Sequence, residues 1–187
     1  MTVELLQRVV DETTRVVGNV TLDQLGNDTP CAEWTVRDVV NHITGGATMF
    51  AISAEQGKVS DEQIGQLLGG DNLGNDFKGA WGTAGKRAMS AFDGLDLSKM
   101  VTLPFGEMPA GIALNIAIFD VATHAVDIAS STGQDIADTD LLETALEFGR
   151  QMIGQELRDA GLFAPEQPCP ADAPVTDRLF AFSGRKV

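Results

Sequence analysis

Apolar residues return at three- and four-residue steps through most of the chain, which is the period of amphipathic helices. Leu6, Val9, Val10, Thr13 and Val17 mark a helix over 3–18, closed by Gly18-Asn19. A loop follows, with one helical turn expected at Leu22–Leu25. Thr35 then stands as an N-cap with Asp38 in the first turn, and 36–54 carries the stripe Val36, Val40, Ile43, Ala47 and Phe50. Residues 57–72 are polar and Gly-rich and predict a loop with a short helix. Phe77, Trp81, Ala84, Ala88 and Phe92 share one face of a helix over 73–93. Pro104 and Pro109 interrupt the helical pattern and Val101-Thr102-Leu103 reads as extended, so 99–109 is a small extended and turn segment. Helices over 110–131, ended by Gly133, and over 140–160, capped by Asp138 or Thr139, complete the long elements. A strap rich in Pro and Ala then leads to a last short helix at 177–183.

Four long helices with small additions predict an all-α four-helix bundle, with one domain over 1–187 in which 163–187 is a C-terminal strap and short helix. Gly45, Gly46, Gly79, Gly82, Gly85 and Gly149 fall inside these helices. Each costs about 1 kcal/mol of helix propensity relative to Ala. Close helix approach or room for a ligand would offset that cost; shorter, broken helices are the other reading.

Charge narrows the function classes. The 187 residues carry a formal net charge of −14, which repels phosphate backbones and anionic lipid, so neither nucleic acid nor a membrane is expected as partner. The two cysteines, Cys31 and Cys169, form no C-x-x-C zinc motif. The N-terminal residues carry early charges and no apolar signal core, and the apolar run 110–119 is too short to span a bilayer before Asp120 interrupts it. A cytoplasmic protein with reduced thiols is expected.

The segment 110–131 departs from the simple pattern. It is apolar almost all round, which implies burial. On a wheel of about 100° per residue, Ala113, Ala117, Asp120, His124, Asp127 and Ser131 form one narrow line. Leu114, Ile118, Val121 and Ala125 lie beside it, with Ile112, Phe119 and Val126 on the far side. An ionised carboxylate buried without compensation is prohibitive, so Asp120 calls for a cation or a strong set of hydrogen bonds. Asp120 and His124, at i and i+4, can reach one point beside the helix. The other of the two histidines, His42, sits in the middle of the second helix with Gly46 and Met49 nearby. Together His42, Asp120 and His124 offer three ligands to a divalent ion and leave positions open, as catalytic sites do. Zinc is the default on ligand type; nickel or iron fits as well. The alternative is an internal hydrogen-bonded pair of His124 with Asp120 or Asp127, and an unrelated His42.

Further residues carry two readings each. Asp127 either orients a ligand imidazole from behind or pairs with Arg37 to clamp two helices. Glu107 lines the cleft mouth or is a turn residue; Met49 and Phe50 wall the pocket or belong to the core. Cys31 is expected to be structural, since Arg37 is its only cationic sequence neighbour. Trp34 and Trp81 read as core or staple residues.

The blocks "TPCAEWTVRDVVNHITGG" (29–46), "VTLPFGEMPAGIAL" (101–114), "FDVATHAVDIASSTGQ" (119–134) and "DRLFAFSGR" (177–185) resemble the DinB-like metal-binding four-helix-bundle family. That family includes the N-terminal domain of mycothiol-dependent maleylpyruvate isomerase. The resemblance implies one divalent metal on His42, Asp120 and His124, with Glu in the isomerase where this chain has Asp120. It further implies mycothiol, a low-molecular-weight thiol, as cofactor or co-substrate. The partners would then be that thiol, held as thiolate by the metal, and an electrophilic substrate of a transferase or isomerase-like reaction. The same site with hydroxide would make a metal-dependent hydrolase. A non-catalytic metal sensor or binding protein, dimeric through an exposed helix face, is the rival class.

Overall fold

A computed structural model describes residues 3–159 and 163–186. Four long helices form the bundle: α1 (Val3–Asn19), α2 (Val36–Gln56), α4 (Phe77–Phe92) and α5 (Ala110–Thr132), with the short α3 (Asp61–Gly69) between the second and third of them. Both α1 and α2 pack against α4 and α5, so the four close a ring around a common core. The all-α four-helix bundle is therefore the fold.

Local chemistry sets the boundaries. Thr35 and Asp38 form a reciprocal capping box that starts α2, and Gly57, at φ +81°, ends it in the left-handed conformation that suits glycine. Asp76 accepts from the Gly79 N–H and starts α4 there rather than at 73. Pro109 precedes α5, and Gly133, at φ +69°, closes it. The extended segment is an antiparallel hairpin of β1 (Met100–Leu103) and β2 (Gly106–Pro109). It is tied to the end of α2 by the Thr102 N–H to the Gly57 carbonyl, 2.8 Å, and the Val59 N–H to the Thr102 carbonyl, 3.3 Å.

The expected helix over 140–160 is shorter. It divides into α6 (Thr139–Met152) and α7 (Gln155–Asp159), broken at Ile153-Gly154, and residue 160 lies outside the described residues. Asp138 caps α6 through the Leu141 N–H. The last helix, α8 (Val175–Phe182), packs on α6 and α5. Gly149 lets these layers meet: a Cβ there would lie 2.8 Å from a Phe182 ring carbon and also strike Phe119. Phe119 and Phe182 stack edge to face with centroids 6.1 Å apart. Thus Phe119 and Val126 on the far side of α5 are buried by the C-terminal helices, which explains a helix apolar on every face. By length and composition α5 as a whole could cross a membrane, but 78% of its most apolar window is buried inside the protein.

Candidate functional site

Two helices of the ring and the C-terminal segment converge on one end of the bundle. His42 on α2 and Asp120 and His124 on α5 bring their donor atoms within 4.8 Å of one another. Asp120 Oδ1 lies 3.3 Å from His42 Nε2 and 3.6 Å from His124 Nε2. Two ligands of one zinc ion, each at about 2.0–2.2 Å, stand about 3.0–3.5 Å apart. The three donors therefore suit a shared divalent ion with little movement. Gly46 faces the carboxylate across the helix gap, where a Cβ would be 3.7 Å from Asp120 Oδ2.

The support beneath the donors is specific. His124 Nδ1 lies 2.9 Å from Asp127 Oδ2, and Asp127 has no exposure. Donation of the Nδ1 proton to this carboxylate leaves a lone pair on Nε2, turned towards Asp120. A lone pair facing a carboxylate oxygen calls for a cation between them. Arg185, just beyond α8, grips Asp127 with two bonds of 2.6 Å, Nε to Oδ1 and Nη2 to Oδ2. Trp34 lies over the pair of imidazoles, stacked on His124 at 5.7 Å between centroids and tilted on His42 at 4.8 Å.

Electrostatics agree with this geometry. Burial works hardest against ionising Asp120, but the charge and hydrogen bond of His42, with His124 and Arg185, outweigh it and hold the carboxyl at about 2. Burial pulls His42 down, yet Asp120 more than offsets it and raises the imidazole above its ordinary value. The Cys31 thiol is pushed up, by burial first and by Asp127 and Asp120 next, against the opposing Arg185. It is therefore a protonated thiol in the cleft wall. Cys31, His124 and Asp127 also cluster, but there the imidazole and carboxylate already bond each other and Arg185.

A cleft of about 400 Å³ opens onto the three donors. Gly46, Met49 and Phe50 line it, and Met49 and Phe50 belong to the buried core as well. Two expectations are corrected. Arg37 does not reach Asp127; it lies 3.2 Å from Asp71 on the surface. Its side chain leaves α2 on the outer face, and the guanidinium at Asp127 comes from a residue 58 positions further along. Glu107 is exposed on β2 and absent from the lining, which takes Pro104 and Phe105 from the hairpin turn instead. Sequence reasoning also missed Trp34 as a wall of the site, and Phe163 and Ala164 as its C-terminal side. For Arg185 one signal existed: it closes the block "DRLFAFSGR", three residues after the buried run Leu179–Phe182.

Residues 6–129 match the model of the mycothiol maleylpyruvate isomerase N-terminal domain. The chain belongs to that family. His42, Asp120 and His124 fall inside the matched stretch, and Arg185 lies outside it. Uncharacterized proteins from two strains of Mycobacterium tuberculosis are 35% identical over 183 residues, covering 97% of this chain and 96% of theirs. Among solved structures, mycothiol-dependent maleylpyruvate isomerase and a histidine-to-alanine mutant of it share the fold. Their TM-scores are 0.66 and 0.67 at 20% identity, over 85% of this chain and 70% of theirs.

Proposed function

We propose that this protein is a metal-dependent enzyme of thiol chemistry, using mycothiol as thiol cofactor or co-substrate. His42, Asp120 and His124 would hold one divalent ion, with zinc the first choice on donor type and nickel or iron compatible. The observation that carries this reading is the His124 imidazole. Its Nδ1 is committed to Asp127, and its Nε2 faces Asp120 Oδ1 and shares it with His42 at ligand-to-ligand spacing. When bound, the ion would supply a lowered thiol pKa, so that thiolate exists at neutral pH. The chain's own residues do the rest. Asp127 and Arg185 fix the His124 ring, and Trp34 covers both imidazoles and limits water. The hairpin turn and the C-terminal segment wall the space where thiol and substrate meet. Family membership supports the thiol, and the donor geometry supports the metal.

The test is metal content of tag-free protein, wild type beside His42→Ala and His124→Ala. Stoichiometric divalent metal in the wild type and its loss in both variants is the expected result. Wild type that takes up no metal at any loading would overturn the metal. Mycothiol should then raise the melting temperature of the loaded protein; stabilisation by no thiol would favour a hydrolase or sensor.

A further inference from the structure

The walls of the cleft carry information about the second substrate. Trp34, Phe50, Phe105, Ile116 and Phe163 surround the three donors, and Phe105 is 50% exposed. Arg185 is the one cationic side chain among the described residues that line the cleft. Its positive charge is already matched by the fully buried Asp127, through paired bonds of 2.6 Å. Arg37, on α2, is turned outward to Asp71.

A charge balance follows, resting on the proposed metal and thiol. A divalent ion and Arg185 together bring three positive charges; Asp120, Asp127 and a thiolate bring three negative ones. The loaded site is neutral before any substrate enters. A carboxylate or phosphate arriving next would be an unpaired buried anion, a strongly unfavourable arrangement. The formal net charge of −14 on the whole chain adds long-range repulsion of anions.

We propose that the cleft takes an uncharged, largely apolar electrophile as the partner of the thiol, and discriminates against anionic acids of the same shape. An activated alkene conjugated to a ketone is one such electrophile. Thiol addition to it balances without a further reactant: the S–C bond forms as the C=C π bond breaks, and the thiol proton ends on the neighbouring carbon.

The matched probes are 4-phenylbut-3-en-2-one and cinnamate, which share a skeleton and differ in a methyl ketone against a carboxylate. Their binding to the full-length, zinc-treated protein saturated with mycothiol is measured by stopped-flow tryptophan fluorescence at times before addition proceeds, with Trp34 in the cleft wall as the responding ring. The enone should bind at least about tenfold more tightly than cinnamate, the order expected when a buried carboxylate lacks a partner. Phe105→Ala, on an exposed turn, should weaken the enone several-fold. Ile116→Lys, in the cleft wall one turn before Asp120, should strengthen cinnamate and shrink the gap. Cinnamate bound as tightly as the enone by the wild type, or neither ligand saturating at millimolar concentration, overturns the inference. Metal content and mycothiol stabilisation are recorded on the same samples. Absent metal with the enone preference intact would sink the metal–thiol reading while leaving the cleft's selectivity standing. Stoichiometric metal with no preference would sink the selectivity alone.

Discussion

Replacing Arg185 by Met is expected to destabilise the metal-free protein by about 3–5 kcal/mol, the range for removing one partner of a buried ion pair. Asp127 has no solvent exposure, and its carboxylate is held by two guanidinium bonds of 2.6 Å and by His124 Nδ1 at 2.9 Å. Met keeps an apolar stem of similar reach and supplies no donor, so a fully buried charge is left with one hydrogen bond. For a chain of this size each kcal/mol moves the melting temperature by about 2–4 °C, so a fall of about 6–20 °C is expected. Asp127→Asn alone strands the guanidinium and costs stability as well. The double variant removes both charges and should be less destabilised than the sum of the two, by about 2–3 kcal/mol. The assay is urea unfolding followed by far-UV circular dichroism on wild type, both single variants and the double. Metal is removed throughout, because ligand binding would add its own stabilisation. Strictly additive single effects, or an Arg185→Met protein within about 0.5 kcal/mol of wild type, would refute the idea that this guanidinium stabilises Asp127.

Other consequences can be checked one by one. In the metal-free protein His42 titrates above its ordinary value: burial opposes this, but Asp120 outweighs it. The raised value means that its pairing stabilises fully at pH below the unfolded imidazole's and fades as pH rises through the folded one. NMR titration should show this, and Asp120→Asn should bring the His42 titration down. Zinc uptake needs the neutral ring, so affinity should fall as pH drops through the same raised value. Glu12 shows the opposite sign. Burial pushes its carboxyl up, yet Arg15 and the Ala137 N–H bring it below its ordinary value of 4.5. Its stabilisation is therefore present above that value and lost as pH falls through the folded one, and the gap in melting temperature between wild type and Glu12→Gln should close on acidification. Within α4, Gly82→Ala should stabilise by about 0.5–1 kcal/mol, because nothing lies within 4 Å of the added Cβ. Gly85→Ala should destabilise, since its Cβ would sit 2.8 Å from the buried Val10 Cγ1. Equal thermal shifts for the two would contradict the packing described.

The helices were readable because their periodicity and caps are local. Thr35 with Asp38, and Gly133 after α5, mark boundaries within a few residues of the signal. The juxtaposition of Asp120 and His124 was likewise local, an i, i+4 pair on one helix. His42 was drawn in as the other of the two histidines, and the structure places it opposite the pair. What the sequence concealed depends on distant segments. Arg37 and Arg185 are equally plausible partners for Asp127 on charge alone; only the packing of α8 on α5 decides between them. Phe105, Phe163 and Trp34 each look like ordinary apolar residues until the turn, strap and loop that carry them meet at one end of the bundle. The split between α6 and α7 was marked by Gly154, but Leu142–Ile153 kept the helical period and masked it.

The grip of Arg185 on Asp127 also bears on the order of events during synthesis. The arginine follows the aspartate by 58 residues. At about 5–20 residues per second it is added some 3–12 s later. All four helices of the ring have been made by then, yet Asp127 would have to be buried without its counter-charge. A nascent chain stalled in that interval should keep the carboxylate wet and the end of the bundle around His124 open. The site can set only once the arginine arrives, so the turn after α8 acts as a timing device for the most demanding piece of burial in the bundle.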